Sequence, residues 1–198
     1  MSSTRKAEAP ALGAYYAVND LAGLVRRSAV LAVDLAVVFF VCGPIVARGS
    51  DVGLSQRMAN LVAFGLAWAY LAGLKTGASG TLGYRLARVQ LVDLHGNPVR
   101  LGLSTARFLF LFAGPINVFF DLFWLTTDPN RQTLRDKLTG TYVVRRGAPP
   151  AGRGPITYPT YFINSMSFTM PEVLRERDDS ANALGAEAKA ATTDERAR

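Results

Sequence analysis

The sequence predicts a membrane all-α core, in which two full transmembrane helices are followed by a broken or re-entrant third segment or by a third span, with a small cytoplasmic two-stranded β element. Three observations lead to this fold class. Hydrophobic residues make up 49% of the 198 and the mean hydropathy is positive, a balance that a soluble domain with a charged surface does not show. The apolar residues are gathered into blocks: Ser28 to Ala47 is twenty residues with Asp34 as its only charge, Met58 to Leu74 is seventeen with none, and Phe108 to Thr127 is twenty with Asp121 as its only charge. At about 1.5 Å rise per residue each block approaches the roughly 30 Å thickness of a hydrocarbon core. The spans are therefore placed at about 28–47, 58–74 and 108–127.

Residues 1–18 are polar and mixed in charge without periodicity, and are expected to form a flexible arm. Asn19 and Asp20 are candidate caps for a helix running through Leu24 and Val25 into the first span. That span starts too late and is too long for a signal h-region, so it is expected to stay as an anchor. The single cysteine, Cys42, excludes a disulfide within the chain and fits a small core residue. In the second span Ala63 with Ala67, Gly65 with Ala69 and Ala69 with Gly73 recur every four residues, a spacing that allows close approach to the first span.

Positive charge sets the orientation. Arg5, Lys6, Arg26 and Arg27 precede the first span, only Arg48 and Arg57 lie between the first two, and Lys75, Arg85, Arg88, Arg100 and Arg107 lie before the third block. The N-terminus and the long loop are thus expected inside. Arg131, Arg135, Lys137, Arg145 and Arg146 make the stretch after the third block equally basic. Two β-like runs agree with that: Arg88 to Leu94, followed by the turn His95-Gly96-Asn97-Pro98, and Thr141 to Arg146. Short strands want partners, and their pairing would bring both ends of the third block to one side. Gly114-Pro115-Ile116-Asn117 near its middle invites a break. The favoured topology is two spans plus a re-entrant or interfacial third segment with both termini cytoplasmic, three straight crossings being the alternative.

Asp128-Pro129 is a candidate helix start and Gly140 a stop, giving a short interfacial helix at about Pro129 to Thr139. Beyond Gly147 the chain is Pro-, Gly- and Ala-rich, then polar, so 147–198 is expected to be a largely disordered tail. Its aromatic stretch 156–170 either packs back on the 19–146 membrane domain or binds a partner.

A carboxylate in a span costs a few kcal/mol and normally faces the protein interior or a water-filled cavity. Asp34 therefore needs a partner. Arg27, seven residues earlier, is roughly 10 Å away along the axis, and its long side chain is expected to snorkel to the headgroups. That leaves Asn60 or a basic residue of the later segments as partners for Asp34. Either Asp34 binds a cation or a proton, or it is a buried tie between helices. Asp121 poses the same choice, although in an interfacial segment it would reach water. Asp136, among Arg131, Arg135 and Lys137, fits a salt-bridged surface acid.

No enzyme site, cofactor or metal is expected. His95 is the only histidine and lies in a turn, and neither GxxxxGK[ST] nor GxGxxG occurs. Gly77 to Gly83 lacks a preceding strand and fits a flexible connector. The net charge of +7 gathers near the predicted inner ends of the spans, which points to anionic lipid headgroups rather than nucleic acid.

Three pieces together resemble the RDD family of prokaryotic membrane proteins. They are Ala22-Gly23-Leu24-Val25-Arg26-Arg27 followed by Asp34, SGTLGYRLARVQLVDLHGNPV from Ser79 to Val99, and LRDKLTGTYVV from Leu134 to Val144. Each is weakly specific alone, but their order and spacing across 22–146 is similar to the family's. Tyr84 departs from it, standing where the family commonly has lysine, with Arg85 next in line for the charge. The resemblance places the signature arginine on Arg27, the first aspartate on Asp34 and the second on Asp136, with Asp121 the other claimant. It also implies transport-related members, some described as sodium/proton antiporters. On that basis the chain is expected to be an inner-membrane protein moving an ion or small solute through Asp34, oligomeric because few spans make an incomplete pathway. The competing expectation is a non-transporting scaffold or partner-binding module.

Overall fold

The computed structural model describes residues 11–77, 80–113, 115–163 and 166–175. The first ten residues of the expected arm and the tail beyond 175 lie outside them. The arm is not wholly irregular, since Leu12–Tyr15 forms strand β1. Asn19 and Asp20 do not cap the first span. They lie in a separate 3₁₀ turn, Val18–Asp20, after which Leu21 bridges to Val144 and the helix α1, Leu24–Arg48, starts from Gly23.

Helix α2, Gln56–Trp68, is capped by the Ser55 hydroxyl and continues through a widened π-turn, Ala69–Gly73, to Thr76. The stretches Leu24–Val52 and Gln56–Thr76 are both long and apolar enough to cross a bilayer. They expose large apolar side chains such as Phe39, Phe40, Leu61 and Phe64, which a hydrocarbon environment accommodates and water does not. The helices meet through small residues, and of the three expected pairs it is the one containing Ala63, not those built on Gly65 and Gly73, that lies on the seam. Ala59 and Ala63 are the buried positions, and a Cβ on Gly49 would come within 2.8 Å of the Ala59 Cβ. Around Gly65 and Gly73 a Cβ would meet nothing within 4 Å. The small-residue spacing has two phases on α2, and packing uses the alanine one. Cys42 is half-buried on this seam, its Sγ donating to the Ala63 carbonyl at 3.3 Å.

The short α3, Leu82–Leu86, leads into β2, Val89–Asp93. The third apolar block is divided, as its Gly-Pro predicts. Helix α4, Leu101–Leu109, gives way to a 3₁₀ turn, Phe110–Ala113, and α5 restarts at Pro115 and runs to Thr127. Ser104 of α4 donates to the Ala72 carbonyl at 2.8 Å, so the π-turn, a feature often found at sites where helices carry special contacts, is tied to the neighbouring helix. The helix expected at about Pro129 to Thr139 is shorter than predicted. Asp128 caps a turn, accepting from the Asn130 and Gln132 amides, and α6, Leu134–Thr139, starts from a capping box on Thr133. Gly140, at φ +58°, stops it.

Strand β3, Thr141–Arg145, pairs antiparallel with β2, Val89 opposite Arg145 and Asp93 opposite Thr141. Such a ribbon is unstable alone, and here both faces are covered. Val89, Leu91 and Val143 pack with Ala22, Val30 and Tyr84, while Val92, Tyr142 and Val144 pack with Ala14, Tyr16 and Val173. The second cover comes from the expected tail. Strand β4, Gly152–Thr157, lies between β1 and β7, Glu172–Val173, and β5, Thr160–Ile163, forms a hairpin with β6, Met166–Thr169. The β structure is thus larger than the two strands predicted, and the aromatic stretch packs back on the domain, Tyr161 edge-on to Trp124 with ring centres 6.4 Å apart.

The choice of packing phase on α2 is testable. Ala63→Leu is expected to lower stability by about 1–3 kcal/mol through overpacking, whereas Gly65→Leu changes it by less than about 0.5 kcal/mol. Thermal unfolding of the purified variants in detergent measures both, and the reverse ranking would put the helix seam on the glycines.

Candidate functional site

The polar residues converge where α1, α4 and α6 meet beside the β2–β3 ribbon. Asp136, brought in by the first turn of α6, is fully buried at 0% exposure. Its Oδ2 accepts from Arg27 of α1 and, at 3.1 Å, from the Thr133 amide, and its Oδ1 accepts from Arg107 of α4. Arg107 also donates to the Thr141 hydroxyl at the start of β3. Arg27 is held from both sides, its Nε donating to the Ala22 carbonyl and its Nη2 to the Arg131 carbonyl, each at 2.9 Å. Two expectations are overturned here. Arg27 does not snorkel, and Asp136 is not a surface acid. The axial geometry that separates Arg27 from Asp34 is sound, but a partner 109 residues away claims Arg27 first. Burial alone would raise the Asp136 pKa, yet the charges of Arg107, Arg27 and Arg135 with the Thr133 amide hold it well below the usual carboxylate range.

Asp34 sits on α1 at 2% exposure and is bound by neutral donors. Its Oδ1 accepts from the Tyr70 hydroxyl at 3.1 Å and the Gly83 amide at 2.9 Å, and its Oδ2 from the Thr81 hydroxyl at 2.7 Å. Neither Asn60 nor a basic residue ion-pairs with it among the described residues. Asn60 is exposed and accepts from Gln56 instead. The contact depends on Gly83, where a Cβ would stand 2.6 Å from the Val30 carbonyl oxygen and 2.7 Å from Asp34 Oδ1. Thr81, which caps α3, and Gly80 are also buried. The described part of the glycine-rich connector is thus a fixed docking loop, where a flexible linker was expected.

Asp121 of α5 does not reach water. At 5% exposure it pairs with Arg135 of α6 at 2.9 Å and accepts the Arg135 amide at 2.9 Å. Both halves of the broken third segment are therefore tied to α6, α4 through Arg107 and α5 through Asp121. Below these pairs lies a cavity of about 60 Å³ lined by Arg27, Asp34, Lys75, Arg107, Asp121 and Arg135 together with apolar side chains. The Lys75 ammonium stands over the Tyr84 ring, 5.1 Å from its centre. Of the expected site residues, Arg27 and Asp136 are in direct contact, and Asp34 and Asp121 join them only as walls of this cavity. Arg107, Arg135 and Lys75 were missed because in the sequence they count simply as loop charges. The available signal was the position of Arg107, directly against an apolar block.

Among the described residues no cluster of His, Cys, Asp or Glu is arranged for a metal ion. Two apolar helices of spanning length and a buried charge centre that ties the first of them to α4 and α6 fit an integral membrane protein with a polar interior. More particularly, the chain belongs to the RDD family of prokaryotic membrane proteins, whose sequence profile matches residues 21–140. No curated protein and no solved structure matches it.

Removing the charge of Asp136 leaves two buried guanidinium groups facing each other. Asp136→Asn is expected to cost about 3–5 kcal/mol of stability. Because the folded pKa lies below the ordinary 3.8, the contribution is complete above that value and is lost as pH falls below it. The stability gap between wild type and Asp136→Asn should therefore be constant from neutral pH down to about 5 and close in stronger acid. A gap independent of pH throughout the acid range would show that the carboxylate charge is not what stabilises the centre.

Proposed function

We propose that the chain is a non-transporting inner-membrane module in which the buried acids hold its helices and its inner β layer in one arrangement. The observation that carries this reading is the coordination of Asp34. Three donors, from the π-turn after α2, the docking loop and α3, already occupy the carboxylate, and their geometry serves the junction between those elements. A carboxylate that must take up and release a cation needs a vacancy and a negative surround, whereas here Lys75, Arg27, Arg107 and Arg135 share the cavity wall. No enzymatic role is proposed. The exposed aromatic faces of α1 and α5, including Phe39, Phe40, Phe119 and Phe123, suit lipid, a further copy or another membrane protein, and the basic residues of the β layer suit anionic headgroups.

The second reading, movement of an ion or small solute with Asp34 as the protonatable group, is favoured by the cavity that Asp34 lines. The two separate in proteoliposomes. Asp34→Asn is expected to lower the unfolding midpoint, at a cost of about 1–3 kcal/mol for the disrupted hydrogen bonds, while sodium- or pH-gradient-driven flux stays at the empty-liposome level with wild type and variant alike. A wild-type flux abolished in a folded Asp34→Asn protein would establish transport instead.

The topology proposed with this function keeps both termini in the cytoplasm, supported by the return of both halves of the third segment to α6. A reporter active only in the cytoplasm, fused after Arg146, should be active. Activity only from a periplasmic reporter would require three full crossings.

A further inference from the structure

The cavity between α1, the end of α2, α4 and α5 carries an imbalance of charge. Four cationic side chains, Arg27, Lys75, Arg107 and Arg135, face two acids, Asp34 and Asp121. Asp136, behind Arg27 and Arg107, takes part of the excess but leaves one positive charge over. The donors are not all satisfied either. Arg135 uses its Nη2 and its backbone amide on Asp121, while its Nε is buried without a hydrogen-bond partner. Lys75 is half-buried and has no ion pair among the described residues, only the ring face of Tyr84. The remaining walls include Leu31, Leu35, Leu71 and Leu122, so the excess charge sits in a low-dielectric pocket where an unopposed ion is costly.

We propose that this cavity binds one small monovalent anion, of the size of a halide or formate, between Lys75 and Arg135. The cavity, of about 60 Å³, is roomier than a single water requires. One excess positive charge matches a monovalent ion, and a phosphate or sulfate dianion would reverse the imbalance. A sodium ion would add to the excess. The inference goes beyond the scaffold reading and does not depend on transport, because an anion that completes the charge balance stabilises the fold without moving.

Thermal unfolding of the purified full-length chain in detergent tests it. At fixed ionic strength, sodium gluconate is replaced stepwise by sodium chloride or sodium formate, and in a second series sodium is replaced by potassium with chloride held constant. The midpoint is expected to rise with chloride or formate, approaching a logarithmic dependence once the site fills, and to ignore the cation. Lys75→Gln should abolish the rise and Lys75→Arg should retain it. Arg145→Gln, at an exposed strand end away from the cavity, should also retain it. Equal midpoints in all three anions overturn the proposal, as does a chloride response unchanged in Lys75→Gln. Should Lys75→Gln fail to fold, calorimetric titration of wild type with chloride decides, absence of saturable binding counting against the site.

Discussion

Asp136 has no contact with water, and each of its oxygens faces a guanidinium carried by a different helix. A single buried carboxylate between Arg27 and Arg107 cannot be displaced cheaply, because removing any member leaves a charge in a low-dielectric surround. The position of α1, α4 and α6 relative to one another is thus set by electrostatics as much as by packing. Arg27 extends the constraint further, since its other donors hold the carbonyls of Ala22 and Arg131. The entry of the chain into the first span and the turn before α6 are fixed by the same side chain. A six-residue helix such as α6 has little stability of its own. It persists because its capping box and this charge centre share one carboxylate.

Asp34 and Asp136 are both buried, but they do different work. Asp136 answers charge with charge. Asp34 is met only by hydroxyl and amide donors, and its role is to seat the loop before α3 against the middle of α1. That seat requires a residue without a side chain at position 83, which explains the Gly-Thr-Leu-Gly run in physical terms: Thr81 caps and donates, Gly83 allows the backbone to approach. Through these contacts Asp34 also lines the cavity whose other walls carry Lys75, Arg107 and Arg135.

Outside the spans, the β2–β3 ribbon separates the charge centre from a second layer built by the two ends of the described chain. Glu172 joins that layer to α6. One of its oxygens accepts from Asn130 at 2.9 Å and lies 3.4 Å from Lys137, while the other accepts from Tyr161 at 3.1 Å. Lys137 in turn pairs with Asp128 at 2.7 Å, and these acids hold its pKa above the usual lysine value against the opposing effect of burial. The tail is therefore anchored to the same short helix that carries Asp136.

The sequence by itself determined the elements whose signal is local. Blocks without charge specify α1 and α2, Gly114-Pro115 specifies the break in the third segment, and branched residues bounded by Gly96-Asn97-Pro98 and Gly140 specify the paired strands. It also singled out Arg27, Asp34, Asp121 and Asp136 as residues needing explanation, because charges in or beside apolar blocks are rarely free of a role. Only the tertiary structure decided their partners. Helical spacing correctly separates Arg27 from Asp34, but it cannot show that a loop 49 residues on brings an amide to Asp34, or that α6 delivers a carboxylate to Arg27. The same limit applies to the tail, whose strands are too short to be recognised before β1 and the ribbon give them a surface. Hydrogen bonds and ion pairs between distant residues depend on three-dimensional proximity, and that proximity exists only after the helices and the ribbon have packed.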